Sequence, residues 1–119
     1  MYGNDTDEPK RRRAPRMDLG ELWKTVHALL EDNRIDVPWD HLRAEGHDIL
    51  DEEIRAALED GMYEFHALVD GRYVATYVER RSRLSVVVLF ELWEKGGTRR
   101  IRVLTAFHGP ASPRARGGR

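Results

Sequence analysis

Residues 84–93 read LSVVVLFELW, a run that is almost entirely apolar. Such a run predicts a β-strand in the centre of a sheet, buried over most of its length. The sequence on either side alternates with the period of about 2 residues that is typical of strands. The four predicted strands cover residues 62–69, 72–80, 84–93 and 98–108. Asp70-Gly71 predicts a two-residue hairpin between the first two, and the short connections predict an antiparallel β-meander.

The acidic segment before these strands predicts a first helix that begins after residue 18. Asp18 can cap it, and Glu21 completes a pattern that resembles a capping box. Its apolar residues recur at three- and four-residue spacing, as expected for one buried helix face. They are Leu19, Leu22, Trp23, Val26, Leu29 and Leu30. Asn33 is expected to end this helix.

Two further helices are predicted before the first strand. A short one covers about 39–45 and ends at Gly46. The other is capped by Asp51, buries Ile54, Ala57 and Leu58, and ends at Gly61, which we expect to adopt the left-handed conformation. The predicted fold class is therefore α+β, with N-terminal helices packed on one face of a four-stranded antiparallel β-meander.

Polar ends flank this predicted domain. Residues 1–17 and 109–119 are rich in basic residues, proline and glycine, so we expect a disordered basic arm, a single α+β domain over 18–108 and a disordered basic tail. The first residues hold no apolar segment typical of a signal peptide, and the longest apolar run is too short to span a bilayer. We therefore expect a cytoplasmic protein without a membrane partner.

The net charge of −1 hides an uneven distribution along the chain. Thirteen acidic and four basic residues lie between 18 and 60, whereas 98–119 contains six arginines and no acidic residue. Such asymmetry indicates surfaces for charged partners and carries no information about the fold. The basic end could meet nucleic acid or an acidic protein, and the acidic helices could meet a basic partner.

Metal and cofactor chemistry finds no support in the motifs. There is no cysteine, and the five histidines lack the four-residue helical spacing of a zinc site. A glycine-rich phosphate loop and a glycine-flanked nucleophile are also missing. We therefore expect neither a metal nor a cofactor, and the oligomeric state stays open.

Arginine, histidine and tyrosine side chains on the predicted strands are the candidates for chemistry. RNA can be cleaved without a metal if a base removes the 2′-hydroxyl proton, an acid protonates the leaving oxygen and cations stabilise the phosphate charge. The candidate catalytic residues are His66, Tyr73, Arg80, Arg102 and His108. The candidate nucleic-acid-binding residues are Lys10, Arg11, Arg12, Arg13, Arg81, Arg83, Arg100 and Arg102. Since alternate residues share a strand face, Arg100, Arg102 and His108 are predicted to lie on one face.

The helix-plus-strand region resembles the BrnT/RelE-like toxin superfamily. The resemblance covers about 41–108 and rests on AEGHDILDEEIRAALEDG at 44–61, on DGRY at 70–73, on the strand 84–90 and on RIRVLTA at 100–106. It implies a RelE/BrnT-like arrangement of helices on a four-stranded sheet. It also implies metal-independent RNA cleavage that a cognate antitoxin holds in check.

Three hypotheses follow from these observations. The first is a toxin-like metal-independent endoribonuclease of a toxin–antitoxin system, an enzyme that uses arginine, histidine and tyrosine. The second is a non-catalytic module that holds a protein partner on the same scaffold. The third is a nucleic-acid-binding accessory protein whose basic ends give salt-sensitive affinity for RNA.

Overall fold

A computed structural model of the chain describes residues 11–79 and 83–109. Within them, three helices and one mixed sheet of six strands form an α+β fold, as the sequence predicts at the level of fold class. The helices are α1 (Leu19–Glu31), α2 (Trp39–Ala44) and α3 (Asp51–Asp60). The strands are β1 (Arg12–Arg13), β2 (Ile35–Asp36), β3 (Met62–Phe65), β4 (Arg72–Val78), β5 (Ser85–Lys95) and β6 (Thr98–Gly109).

The four predicted strands are antiparallel neighbours, and the predicted central strand, β5, lies between β4 and β6. Gly96 and Gly97 join β5 to β6 as a two-residue turn, and both have the positive φ that such a turn requires. The first predicted strand is too long, because β3 ends at Phe65. A loop over 66–71 follows, with Asp70 and Gly71 in a turn at its end, so the predicted two-residue hairpin is wrong.

Two short strands turn the predicted meander into a mixed sheet. β2 pairs with β6 in parallel and forms one edge. β1 pairs with β5 in antiparallel register, Arg13 opposite Trp93, just beyond the point where β4 begins opposite Glu91. β1 and β4 therefore follow one another along the same side of β5.

The predicted arm is wrong for residues 11–17, which lie against the domain. Ala14 is 3% exposed, and its amide donates to the carbonyl of Leu92 at 2.7 Å. The amide of Met17 donates to the hydroxyl of Tyr73 at 3.1 Å. Backbone pairing and burial of a small apolar side chain thus offset the charge of the flanking arginines. Residues 1–10 and 110–119, the rest of the predicted arm and tail, lie outside the described residues.

The helix ends follow the predicted positions with two corrections. Asp18 caps α1 and accepts from the amide of Glu21 at 2.9 Å. In α3 the capping position belongs to Leu50 rather than Asp51, and its amide donates to the carboxylate of Glu53 at 2.8 Å. Gly61 has φ −77°, so it is not left-handed. A Cβ at Gly61 would lie 2.3 Å from the carbonyl oxygen of Ala57, which is why glycine fits there.

The helices cover one face of the sheet, and the core lies between them. Val86, Val88, Phe90 and Leu92 alternate along β5 and are all buried, together with apolar residues of each helix. We call this side the helix-covered face. The opposite side, the open face, carries the alternate residues of each strand. No helix among the described residues is long and apolar enough to span a membrane.

A β-bulge in β6 decides which residues of that strand reach each face. Leu89 is opposite Thr105 while Phe90 is opposite Val103, so Leu104 is an extra residue in β6. Paired residues share a face, so Ile101, Val103, Ala106 and His108 lie on the helix-covered face. Arg100, Arg102, Thr105 and Phe107 lie on the open face.

Candidate anion-binding site on the open face

The predicted grouping of Arg100, Arg102 and His108 on one face is wrong, because the bulge at Leu104 reverses the alternation between them. His108 lies on the helix-covered face instead. Its Nε2 is 2.8 Å from Oε2 of Glu53 in α3. The structure therefore separates the best histidine candidate from the arginine pair.

Arg100 and Arg102 lie together on the open face near the β2 edge. Arg100 donates from Nε and Nη2 to the two carboxylate oxygens of Asp36, both at 2.8 Å. The hydrogen bonds from Arg100 hold the pKa of Asp36 below its ordinary value, and burial opposes them only in part. The ion pair between Arg100 and Asp36 is exposed, so it contributes little to the stability of the fold and mainly fixes the orientation of the Arg100 side chain.

Arg102 is held by an aromatic ring. Its guanidinium carbon lies 4.6 Å from the centroid of Trp93, the neighbouring side chain on β5. This cation–π contact leaves the guanidinium exposed, and Arg102 has no ion pair among the described residues. The strand positions of both side chains follow from the register, which places Arg102 opposite Glu91 and Arg100 opposite Trp93.

Glu91 is the one acidic side chain in the predicted central run, and it is 2% exposed. Its Oε2 accepts from Nη1 of Arg13 at 3.0 Å and from Nε of Arg72 at 2.8 Å. Its Oε1 accepts from Nε1 of Trp93 at 2.8 Å. Burial raises the pKa of Glu91, but these hydrogen bonds outweigh burial and leave the pKa below its ordinary value.

A pocket of about 380 Å³ opens beside Trp93 and Arg102. Its lining includes the basic residues Arg11, Lys95, Arg100 and Arg102 and the acidic residues Asp36 and Glu94. Each acidic residue is already paired, Asp36 with Arg100 and Glu94 with Arg99. Among the described residues, Arg11, Lys95 and Arg102 have no ion-pair partner, so the pocket has an excess of positive charge.

The central part of the open face, away from the pocket, is apolar and hydroxylated. Val74, Thr76, Val87, Leu89, Thr105 and Phe107 are half-buried there, with the ring of His47 5.9 Å from that of Phe107. The segment that contains the helices, residues 18–60, carries 13 of the 21 acidic residues of the chain. Negative and positive charge are thus separated in the described part of the chain, and a polyanion would be attracted to the basic side chains that line the pocket.

The other sequence-predicted residues do not join this site. Tyr73 is 1% exposed on the helix-covered face, where its ring contacts Phe90. Nδ1 of His66 accepts from the amides of Leu68 and Val69 and so caps the loop after β3. Arg12 is exposed, and Arg83 has a positive φ of 62° after the gap at 80–82. Lys10, Arg80 and Arg81 lie outside the described residues.

Sequence reasoning missed Asp36, Arg72, Glu91 and Trp93. A single carboxylate inside an apolar strand is a signal that could have indicated Glu91, because such a group is buried only with partners. No comparable signal pointed to Asp36, which reaches Arg100 through a two-residue strand.

Comparison with known proteins does not assign the chain to a family. No family model matches it, and neither the curated proteins nor the solved structures include a match. In the part of the chain that the structure describes, no group of three or more histidine, aspartate or glutamate side chains could hold a metal ion. The site must therefore be interpreted from its own chemistry.

Proposed function

We propose that the protein is a non-catalytic module that binds single-stranded nucleic acid at the basic pocket of the open face. The observation that carries this proposal is the guanidinium of Arg102, stacked on Trp93 beside Arg100, Arg11 and Lys95. Proteins that bind single strands combine a basic groove for the phosphates with aromatic or guanidinium planes on which bases stack. Both elements meet here within one pocket.

The charges of the pocket favour a polyanion over a neutral ligand. Three of its four basic side chains have no ion-pair partner among the described residues, so a phosphate needs to displace no existing pair to reach them. Arginine binds phosphate with two parallel N–H donors, which suits Arg102 because its ring contact leaves the donor edge free. The acidic helices on the opposite side would repel the same ligand and so orient it.

The toxin-like ribonuclease receives less support from the geometry. General acid–base cleavage needs a proton donor or acceptor within hydrogen-bond reach of the phosphate site. His108 and Tyr73 lie on the helix-covered face, whereas Arg102 lies on the open face. The RelE/BrnT-like arrangement and a cognate antitoxin remain predictions of the sequence resemblance.

Fluorescence anisotropy with a labelled short oligouridylate tests the proposal. We expect Arg102→Ala to weaken binding about tenfold and to reduce the salt slope by about 1, since one phosphate contact and one stacking plane are lost. Arg43→Ala is the matched control, because it also removes one exposed arginine, but Arg43 lies in α2 outside the pocket and is paired with Asp40, which does not line the pocket. The oligothymidylate of equal length shows whether the sugar matters.

Two results would contradict the proposal. If Arg43→Ala and Arg102→Ala weaken binding equally, the affinity is a general charge effect and the pocket is not the site. If a polyglutamate peptide competes as well as the oligouridylate, the partner is an acidic protein. Incubated RNA should stay intact on a gel, and cleavage that is lost in His108→Ala would restore the ribonuclease hypothesis.

A further inference from the structure

Glu91 connects three separate parts of the open face through one buried carboxylate. Arg13 belongs to β1, Arg72 begins β4, and Trp93 follows Glu91 on β5, and all three donate to its oxygens. A carboxylate that is 2% exposed is stable only when its charge and its lone pairs are satisfied. The two arginines satisfy the charge, and the indole donates to the remaining oxygen.

The bond to Trp93 fixes the orientation of the indole. Nε1 donates to Oε1 of Glu91 at 2.8 Å, so the ring cannot rotate without leaving that oxygen without its donor. The same ring carries the guanidinium of Arg102. The carboxylate therefore acts on Arg102 through the indole, although it does not touch the pocket itself.

The bond to Arg13 fixes the N-terminal segment, residues 11–14. Arg13 donates to Glu91, and the amide of Ala14 donates to the carbonyl of Leu92 at 2.7 Å. Arg11, two residues before Arg13, lines the pocket together with Arg100 and Arg102 in this docked position. Docking of residues 11–14 therefore brings Arg11 into the lining of the pocket.

We propose that Glu91 is a positioning residue that docks residues 11–14 and orients Trp93, so that the N-terminal segment forms one wall of the nucleic-acid site. The inference deepens the proposed function and rests on it. Since binding and docking are linked, an oligonucleotide that contacts Arg11 must stabilise the docked segment, and the docked segment must raise the affinity by the same factor.

Amide hydrogen exchange at Ala14 measures docking directly, without any ligand. We expect Glu91→Gln and Arg13→Ala each to speed this exchange about tenfold, because a charge-assisted hydrogen bond is lost. Arg12→Ala is the matched control. It removes the same charge from the same strand, but Arg12 is opposite Glu94 on the other face and does not reach Glu91. Its exchange rate should change much less.

Affinity for the labelled oligouridylate is measured on the same variants. Arg13→Ala should weaken binding several-fold more than Arg12→Ala, and saturating oligouridylate should slow the exchange of the Ala14 amide in the wild-type protein. If Glu91→Gln and Arg13→Ala leave that exchange unchanged, Glu91 does not dock the segment. If they release the segment without a larger loss of affinity than Arg12→Ala, the segment is no part of the site. Either result overturns the inference.

Failure of the proposed function gives a different pattern. A wild-type protein that binds no oligouridylate would overturn the nucleic-acid site and, with it, the role of the segment as a wall of that site. The exchange rates would still report whether Glu91 docks residues 11–14, since they are measured without nucleic acid. A change in thermal unfolding alone, equal in all three variants, would indicate a merely structural role.

Discussion

On the helix-covered face, Val88, Phe90 and Leu92 of β5 are buried against the helices, whereas the alternate residues of the same strand, Glu91 and Trp93, form polar contacts on the open face. One strand thus serves two kinds of surface. Apolar burial fixes the first face, and it depends only on residue size and alternation. Ion pairs and a cation–π contact fix the second, and they depend on partners from distant parts of the chain. The open face is therefore where we expect a ligand to bind, because polar side chains such as Arg102 are exposed there.

Deletion of a single leucine should destroy the separation of the two faces when the leucine is in β5, and should preserve it when the leucine is the bulge residue of β6. Deletion of Leu89 shifts β5 against both neighbours and reverses the faces of every residue beyond it, so we expect no cooperative unfolding transition. Deletion of Leu104 removes the bulge residue and leaves Val103 and Thr105 on their present faces, at a cost of about 1–2 kcal/mol. Urea denaturation measures both, and equal effects would mean that the bulge does not set the register.

Replacing one leucine on each face with alanine should lower the free energy of unfolding by different amounts on the two faces. Leu92→Ala on the helix-covered face should lower the free energy of unfolding by about 2–5 kcal/mol, because it leaves a cavity in the core. Leu89→Ala on the open face is half-buried and should cost about 1 kcal/mol or less. Urea denaturation measures both losses, provided that the dependence of the free energy of unfolding on urea concentration is the same for the two variants. A comparable loss for Leu89→Ala would indicate that another molecule covers the open face.

Acid should weaken the open face selectively. The pKa of Glu91 is lowered in the folded chain, so its contribution to stability is present above the unfolded pKa of about 4.3 and is lost as the pH falls through the folded pKa. Glu91→Gln should cost about 1–2 kcal/mol at neutral pH, a modest figure because both arginines are partly exposed. The difference from the wild-type protein should shrink below about pH 4.3. A constant difference would show that Glu91 acts through packing instead of charge.

The sequence predicted the helix-covered face well because a repeating apolar pattern reports burial. The stripe of α1 is buried as the pattern indicated except at Trp23, which is 49% exposed, and the central run of β5 lies where the pattern indicated. The capping residue of α3 was misplaced by one position, since Asp51 and Leu50 are adjacent and the carboxylate of Glu53 performs the capping.

The open face was harder to predict for two physical reasons. β1 and β2 have two residues each, too few for any periodicity, and their pairing depends on residues far away in the chain. The bulge at Leu104 is also silent in the sequence. Residues 100–108 read as a regular alternation, and the reversal between Arg102 and His108 becomes visible only in the pairing with β5.

The succession of β1 and β4 along one side of β5 has a consequence for the order of folding. Arg13 and Glu91 are 78 positions apart, so the chain must close a very long loop before their ion pair forms. The β4–β5 and β5–β6 hairpins need only short loops and can form early. We therefore expect β1 to join last during refolding and to leave first in local opening, so the last step of folding is the one that completes the pocket.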